Sequence, residues 1–330
     1  VDPNNTILDG NHQFLVLALS APNVSANFFV EGLTLRNGQR EGNGGGIYAV
    51  NNGSINLFNS NIHGNSVTGF FDNGGGVYFE SQNANIYGNT INDNSAPSDA
   101  GGIYVRANSI NAIGNKIIRN HAGGFEAGGI YAIGTSMIEN NLIDGNQVGF
   151  GSGGGGRIEG NTSVKNNIIK NNLSVYEGGG LSISGSNSYL ANNLIINNKA
   201  NYYVFSTDTP GGGVYYNGGN AKIINNTFYG NDAAYGAGLT IAGGGEFLLY
   251  NNIILGNLNG DLYVDNGYND NFIIDLAISA FNNDLTFLAK NPIQLDFSNL
   301  YDIDPKFNNI GSSDFRLNEY SPLIDSGHSS

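Results

Sequence analysis

Apolar and polar residues alternate along this chain over short runs, and the runs return at a fixed interval. The motif Asn-x-apolar-x-x-Asn opens at Asn89, Asn115, Asn141, Asn167, Asn193, Asn226 and Asn252, in steps of 26, 26, 26, 26, 33 and 26 residues. Its central apolar position is Ile91, Ile117, Ile143, Ile169, Ile195, Phe228 and Ile254. Three residues upstream of the motif runs a second apolar column: Ile86, Ala112, Ile138, Val164, Leu190, Ile223 and Leu249. A second marker, a glycine cluster leading into a β-type pair, reads GGGIY at 44–48, GGGVY at 74–78, GGIY at 101–104 and GGIY at 128–131. It continues as GGGGRI at 153–158, GGGLSI at 178–183, GGGVY at 211–215 and GAGLTI at 236–241.

Alternation with period two is the signature of a half-buried strand, and no stretch keeps a helical period for three turns. Each 26-residue unit therefore predicts about three short strands separated by tight bends. With no helix to cover a flat sheet, such strands bury their apolar side only by coiling and stacking on the next repeat. The predicted fold is all-β, a right-handed parallel β-helix of about nine coils over 1–258. Equivalent residues then lie about 4.8 Å apart, which turns apolar columns into core ladders and asparagine columns into hydrogen-bonded ladders at the bends. Residues 6–37 read as a degenerate first coil or two. Both markers fade after 258, so 259–330 reads as an irregular C-terminal cap on the same solenoid.

Two insertions interrupt the regularity, at 199–210 and, more modestly, at 67–73; insertions in solenoids often map to the functional face. Composition supports the architecture. There are 50 glycines and 56 asparagines, both tolerant of positive φ. Only 12% of residues are charged, yet 40% are hydrophobic, which favours a packed core over disorder. A net charge of −14 argues against nucleic acid and against docking on an anionic membrane. Cysteine is absent, which excludes disulfides and thiolate metal sites. No apolar run reaches the 18 residues of a membrane span, and the run at 14–19 is too short for a signal peptide. The chain opens without an initiator Met, as a processed or excised segment would.

Candidate chemistry lies on the residues that alternation turns outward after each glycine cluster. One column is Tyr48, Tyr78, Tyr104, Tyr131, Arg157, Ser182, Tyr215 and Thr240. Two residues on runs Val50, Glu80, Arg106, Ile133, Glu159, Ser184, Asn217 and Ala242. Tyr48, Tyr78, Glu80, Tyr104, Arg106, Tyr131, Arg157, Glu159 and Tyr215 form the candidate ligand face, because sugar rings stack on flat apolar faces while hydroxyls need polar partners. The plainer reading is a tyrosine stack shielding the sheet, with surface ion pairs worth little. A further acidic column, Asp72, Asp99, Glu126, Glu177 and Asp208, precedes the glycine clusters. It reads either as solvated turn acids or as oxygen ligands for Ca²⁺. None of His12, His63, His121 and His328 has a recurrent acid partner, and His63 and His121 read as turn residues. No residue is assigned a catalytic role.

The GG[IVL]Y clusters and the Asn-x-Ile/Phe-x-x-Asn repeats, with NTFYGN at 226–231, resemble those of a group of bacterial surface β-helix proteins. These are the polymorphic outer membrane proteins and "choice-of-anchor Q" proteins. ILDGN at 7–11, GLTLRNG at 32–38, DPKF at 304–307 and DFRLNEYSPLIDSG at 314–327 resemble the group's first coils and tail. The resemblance implies secretion, cell-surface display and often adhesion, and it carries no catalytic residues. Three readings follow. The first is a non-catalytic surface protein for adhesion or extracellular structure, engaging carbohydrate or a host-surface ligand. The second is a Ca²⁺-dependent polysaccharide lyase of the pectate-lyase-like kind, in which Arg106 or Arg157 would act beside Glu80 or Glu159. The third is a filament subunit that associates end to end.

Overall fold

The computed structural model describes residues 6–200, 209–265 and 299–326, together with 273–277, 279–281, 285–287 and 294–295. Most of the insertion at 199–210, including Asp208, lies outside the described residues, as does His328. The chain is a parallel β-helix of about ten turns, wound in the right-handed sense that parallel crossovers take.

One coil shows the plan. Strand Val77–Tyr87 is interrupted in its ladder at Gln82, and so supplies a first face (77–81) and a second (83–87). Thr90–Asn92 forms the third face and Ser95–Ala96 a two-residue fourth strand. The fourth strand is not legible as an element, because two residues cannot display an alternation. Elsewhere the first two faces separate, as Gly156–Glu159 and Thr162–Lys165. The register pairs each residue with its equivalent one repeat away: Tyr78 with Tyr48 and Tyr104, Ile91 with Ile62 and Ile117. Both apolar columns are fully buried from Ile86 to Leu249 and from Ile91 to Ile254.

The bends follow one rule. A residue in the left-handed conformation is followed by a buried asparagine. Gly88, Gly114, Asn140, Asn166, Asn192, Asn225 and Asn251 precede the first asparagine column. Asp93, Arg119, Gly145, Asn171, Asn197, Gly230 and Gly256 precede the second. Glycine and asparagine bear that conformation at least cost, which accounts for the repeated Gly-Asn and Asn-Asn doublets. Each buried asparagine then spans three coils. The Nδ2 of Asn115 donates to the Ile86 carbonyl at 2.7 Å and to Asn141 Oδ1 at 3.1 Å, and the Asn115 N–H donates to Asn141 Oδ1 at 2.8 Å. The second ladder runs from Asn65 to Asn257 and ends on the buried carboxylate of Asp261 at 2.9 Å. The glycine clusters belong to the same packing. A Cβ on Gly129 would stand 2.3 Å from the Gly155 carbonyl oxygen and 3.0 Å from Asn146 Cγ, so only glycine lets that corner close on the ladder.

The seven extra residues between Asn193 and Asn226 leave both ladders intact, at 2.9 Å there and 3.1 Å from Asn198 to Asn231. Beyond 258 the winding continues through Leu262–Asp265 to Leu300–Tyr301, which closes a third face of twelve parallel strands. The antiparallel pair Phe307–Asn309 and Asp314–Leu317 then packs against the flank, with the Phe307 and Phe315 rings 5.9 and 5.3 Å from Tyr229. Among the described residues no helix is long and apolar enough to cross a membrane. At the other end, Ile7, Leu8, Phe14 and Phe29 of the first coil are exposed.

Asn167→Ala removes an acceptor of two bonds and the donor to the Ile138 carbonyl, leaving buried groups unpaired. Urea denaturation should show a loss of about 2–4 kcal/mol. The outward Asn92→Ala should stay within about 0.5 kcal/mol of the parent.

Candidate functional site

The first face carries the nine candidate residues in the register that alternation predicts, from Tyr48 through Tyr78, Tyr104, Tyr131 and Arg157 to Ser182 and Tyr215. They are not all open to solvent. Tyr78 is 7% and Tyr104 5% exposed, because the turn around Ala100 packs on them. The Tyr48 and Tyr78 rings stack at 5.6 Å, Tyr78 and Tyr104 at 4.9 Å, and Tyr131 meets Tyr104 edge-on at 5.4 Å. The faces that Tyr48, Tyr78 and Tyr104 turn on one another are closed to a sugar ring, and at Tyr78 and Tyr104 little more than a ring edge is exposed. Tyr78 donates to Glu80 at 2.5 Å, Arg106 donates to the Tyr104 hydroxyl at 2.8 Å, and Tyr131 donates to Glu159 at 2.9 Å. Burial first, then the neighbouring carboxylate, pushes the Tyr78 and Tyr131 hydroxyls up.

Arg157 takes the place of a tyrosine in the column and gathers acids. Its Nε lies 3.3 Å from Glu159 and 3.8 Å from Glu126, and its Nη1 donates to Ser182 at 2.8 Å. Glu126 Oε2 is buried without a hydrogen bond among the described residues. Burial pushes this carboxyl up to about 7, against the pull of Arg157 and with help from Asp99, Glu159 and Glu177. Burial likewise raises Asp99. The other acids of this column hold turns. Asp72 accepts from the Gly42 and Gly69 N–H groups at 2.6 Å, Asp99 accepts from the Glu126 N–H at 3.0 Å, and Glu177 accepts from the Ser152 hydroxyl. Among the described residues no group of three or more His, Asp or Glu side chains converges on a metal-sized site. His63 and His121, expected at turns, lie at the end of Asn61–His63 and the start of His121–Ala122, in strands one residue from the bends.

Three recesses of about 870, 280 and 620 Å³ follow one another along the axis, the first at the corner where the first face meets the second and the other two on the second face, which the glycine-cluster reading misses. The first holds Asn52, Glu80, Gln82, Arg106 and Asn108 and joins the second through Thr135. The second joins the third through Thr162 and Asn187, and the third holds Tyr189, Asn220, Lys222 and Glu246. Sharing lining residues end to end, they form an open axial track that touches nine coils, roughly 38 Å at one strand spacing per coil. Its middle stretch is lined by Ser109, Asn111, Thr135, Ser163 and other uncharged residues; charge appears only toward the two ends. Applying the alternation to the apolar column at Ile86 would have turned Asn85, Asn111, Ser163, Tyr189 and Lys222 outward. Compared with protein-family models, curated proteins and solved structures, the chain matches none.

Because Glu126 folds with its proton retained, its contribution to stability is complete below about 4.5 and is lost as the pH rises through about 7. The native protein should therefore lose about 2 kcal/mol relative to Glu126→Gln between pH 4.5 and 7.5, read as diverging urea midpoints. Parallel midpoints would mean that Glu126 stays solvated.

Proposed function

We propose that this chain is a non-catalytic, extracellular β-helix of the polymorphic outer membrane protein and choice-of-anchor Q kind that binds a linear polysaccharide lengthwise. The axial groove carries this reading. It is long, open and lined by amides and hydroxyls such as Asn52, Gln82, Asn108, Asn111, Asn161 and Asn187. These groups match the donors and acceptors of sugar hydroxyls, and a polymer laid along the axis meets one rung per coil. The GGxY and Asn repeats support the family assignment, and with it display at the cell surface. A net charge of −14 disfavours nucleic acid as the occupant.

Two other readings each have one observation in their favour. Arg106 stands exposed in the groove beside Glu80, as the cation of a lyase would. The apolar first coil, with Phe14 and Phe29 more than half exposed, favours end-to-end association.

Affinity electrophoresis through gels carrying soluble glucans, galactans, pectate or alginate should show retardation of the intact protein. Absorbance at 235 nm, with and without Ca²⁺, should stay flat over the same glycans. New unsaturated product that disappears in Arg106→Ala would replace the non-catalytic reading with the lyase. A concentration-dependent rise in sedimentation coefficient without glycan would favour the filament.

A further inference from the structure

Several cations on this solenoid are paired with an acid one coil away: Asp93 with Arg119, Glu139 with Lys165, Asp144 with Lys170. Lys222, with Arg40, Arg106, Lys116 and Lys306, is not among them. Its ammonium has no ion pair among the described residues, and it lines the 620 Å³ recess at the C-terminal end of the groove. Its cross-strand neighbour on one side is Tyr189, half-buried, whose hydroxyl has no hydrogen bond among the described residues. The Lys165 ammonium lies 5.1 Å from the Tyr189 ring centroid while Glu139 neutralises it at 3.5 Å. Asn187 and Asn220 border the same recess. A ring, an unneutralised cation and two amides thus stand together in a cleft of a size to hold one or two sugar residues.

Resting on the reading of the groove as a glycan track, we propose that this recess is a carboxylate-selecting subsite, which takes a uronate residue of a linear glycan. Lys222 supplies the counter-charge to the carboxylate, the exposed part of Tyr189 supports the sugar ring, and the amides of Asn187 and Asn220 meet its hydroxyls. The net charge of the whole chain does not forbid this. At physiological salt, charges more than about 8 Å away are largely screened, so the local cation decides. Glu246, which lines the same recess, places the carboxylate on the Lys222 side and disfavours a run of consecutive uronates in contact with both residues.

The test compares the affinity of the intact chain for polygalacturonate and for its fully methyl-esterified form, which keeps the sugars and removes the charge. The free acid should bind about tenfold more tightly. Lys222→Gln should erase that difference, and Lys222→Arg should restore most of it. Tyr189→Ala should weaken both forms together. Lys116→Gln, on the third face, should change neither. If the native protein binds both forms equally, or Lys222→Gln leaves the preference in place, the subsite is overturned while the glycan track stands. If no glycan of either charge binds, both fall.

Discussion

Everything in this molecule hangs on a buried primary amide that must find all its partners. An asparagine side chain brings two donors and an acceptor into an apolar interior, which costs several kcal/mol if they go unmet. Here they are met in three directions, with a carbonyl in the preceding coil, an amide oxygen in the next, and the backbone N–H of the preceding ladder asparagine. The amide-to-amide bonds run one way along the axis, each Nδ2 donating to the Oδ1 of the asparagine in the next coil, and in the second ladder the last acceptor is the Asp261 side chain.

That requirement sets what else can vary. Each ladder rung fixes where a bend falls and which residue precedes it, and therefore which alternate residues face inward. Extra residues can enter between bends without breaking a rung, and the Asn198–Asn231 rung is intact across seven of them. The third glycine of the cluster is held to glycine by the same ladder from across the coil, so the two sequence markers describe one corner of the structure seen from its two sides.

This explains what was readable and what was not. The core and register were readable because equivalent residues recur at equal spacing: Ile91, Ile117 and Ile143 stack on one another, and so do Tyr48, Tyr78 and Tyr104. That the tyrosine column lies on the first face followed from alternation. That Tyr78 and Tyr104 are covered did not, because the turn at Ala100 that covers them is packed by tertiary contact and has no periodic signal. The groove was hidden for a related reason. It starts at the corner where the first two faces meet, at Gln82 and Asn108, and continues along the second face, away from the conspicuous glycine clusters.

Stacking identical coils also dictates where charge can go. Asparagine, isoleucine and tyrosine are complementary to themselves, so a column of any of them is stable; a column of carboxylates is not. The low charge content and the pairing of opposite charges one coil apart, Asp9 with Arg36 and Lys199 with Asp232 among them, both follow from that constraint. Not every charge is paired in this way, and two places stand out. At the first, Asp99, Glu159 and Glu177 surround the buried Glu126 beside Arg157, and burial with these neighbours raises the Glu126 carboxyl to about 7, which favours its neutral form. At the second, Lys222 has no partner among the described residues and faces an open recess. The first conflict is resolved inside the fold and needs nothing from outside. The second is left for a ligand to complete, and for that reason the groove, more than the tyrosine column, is where binding is to be sought.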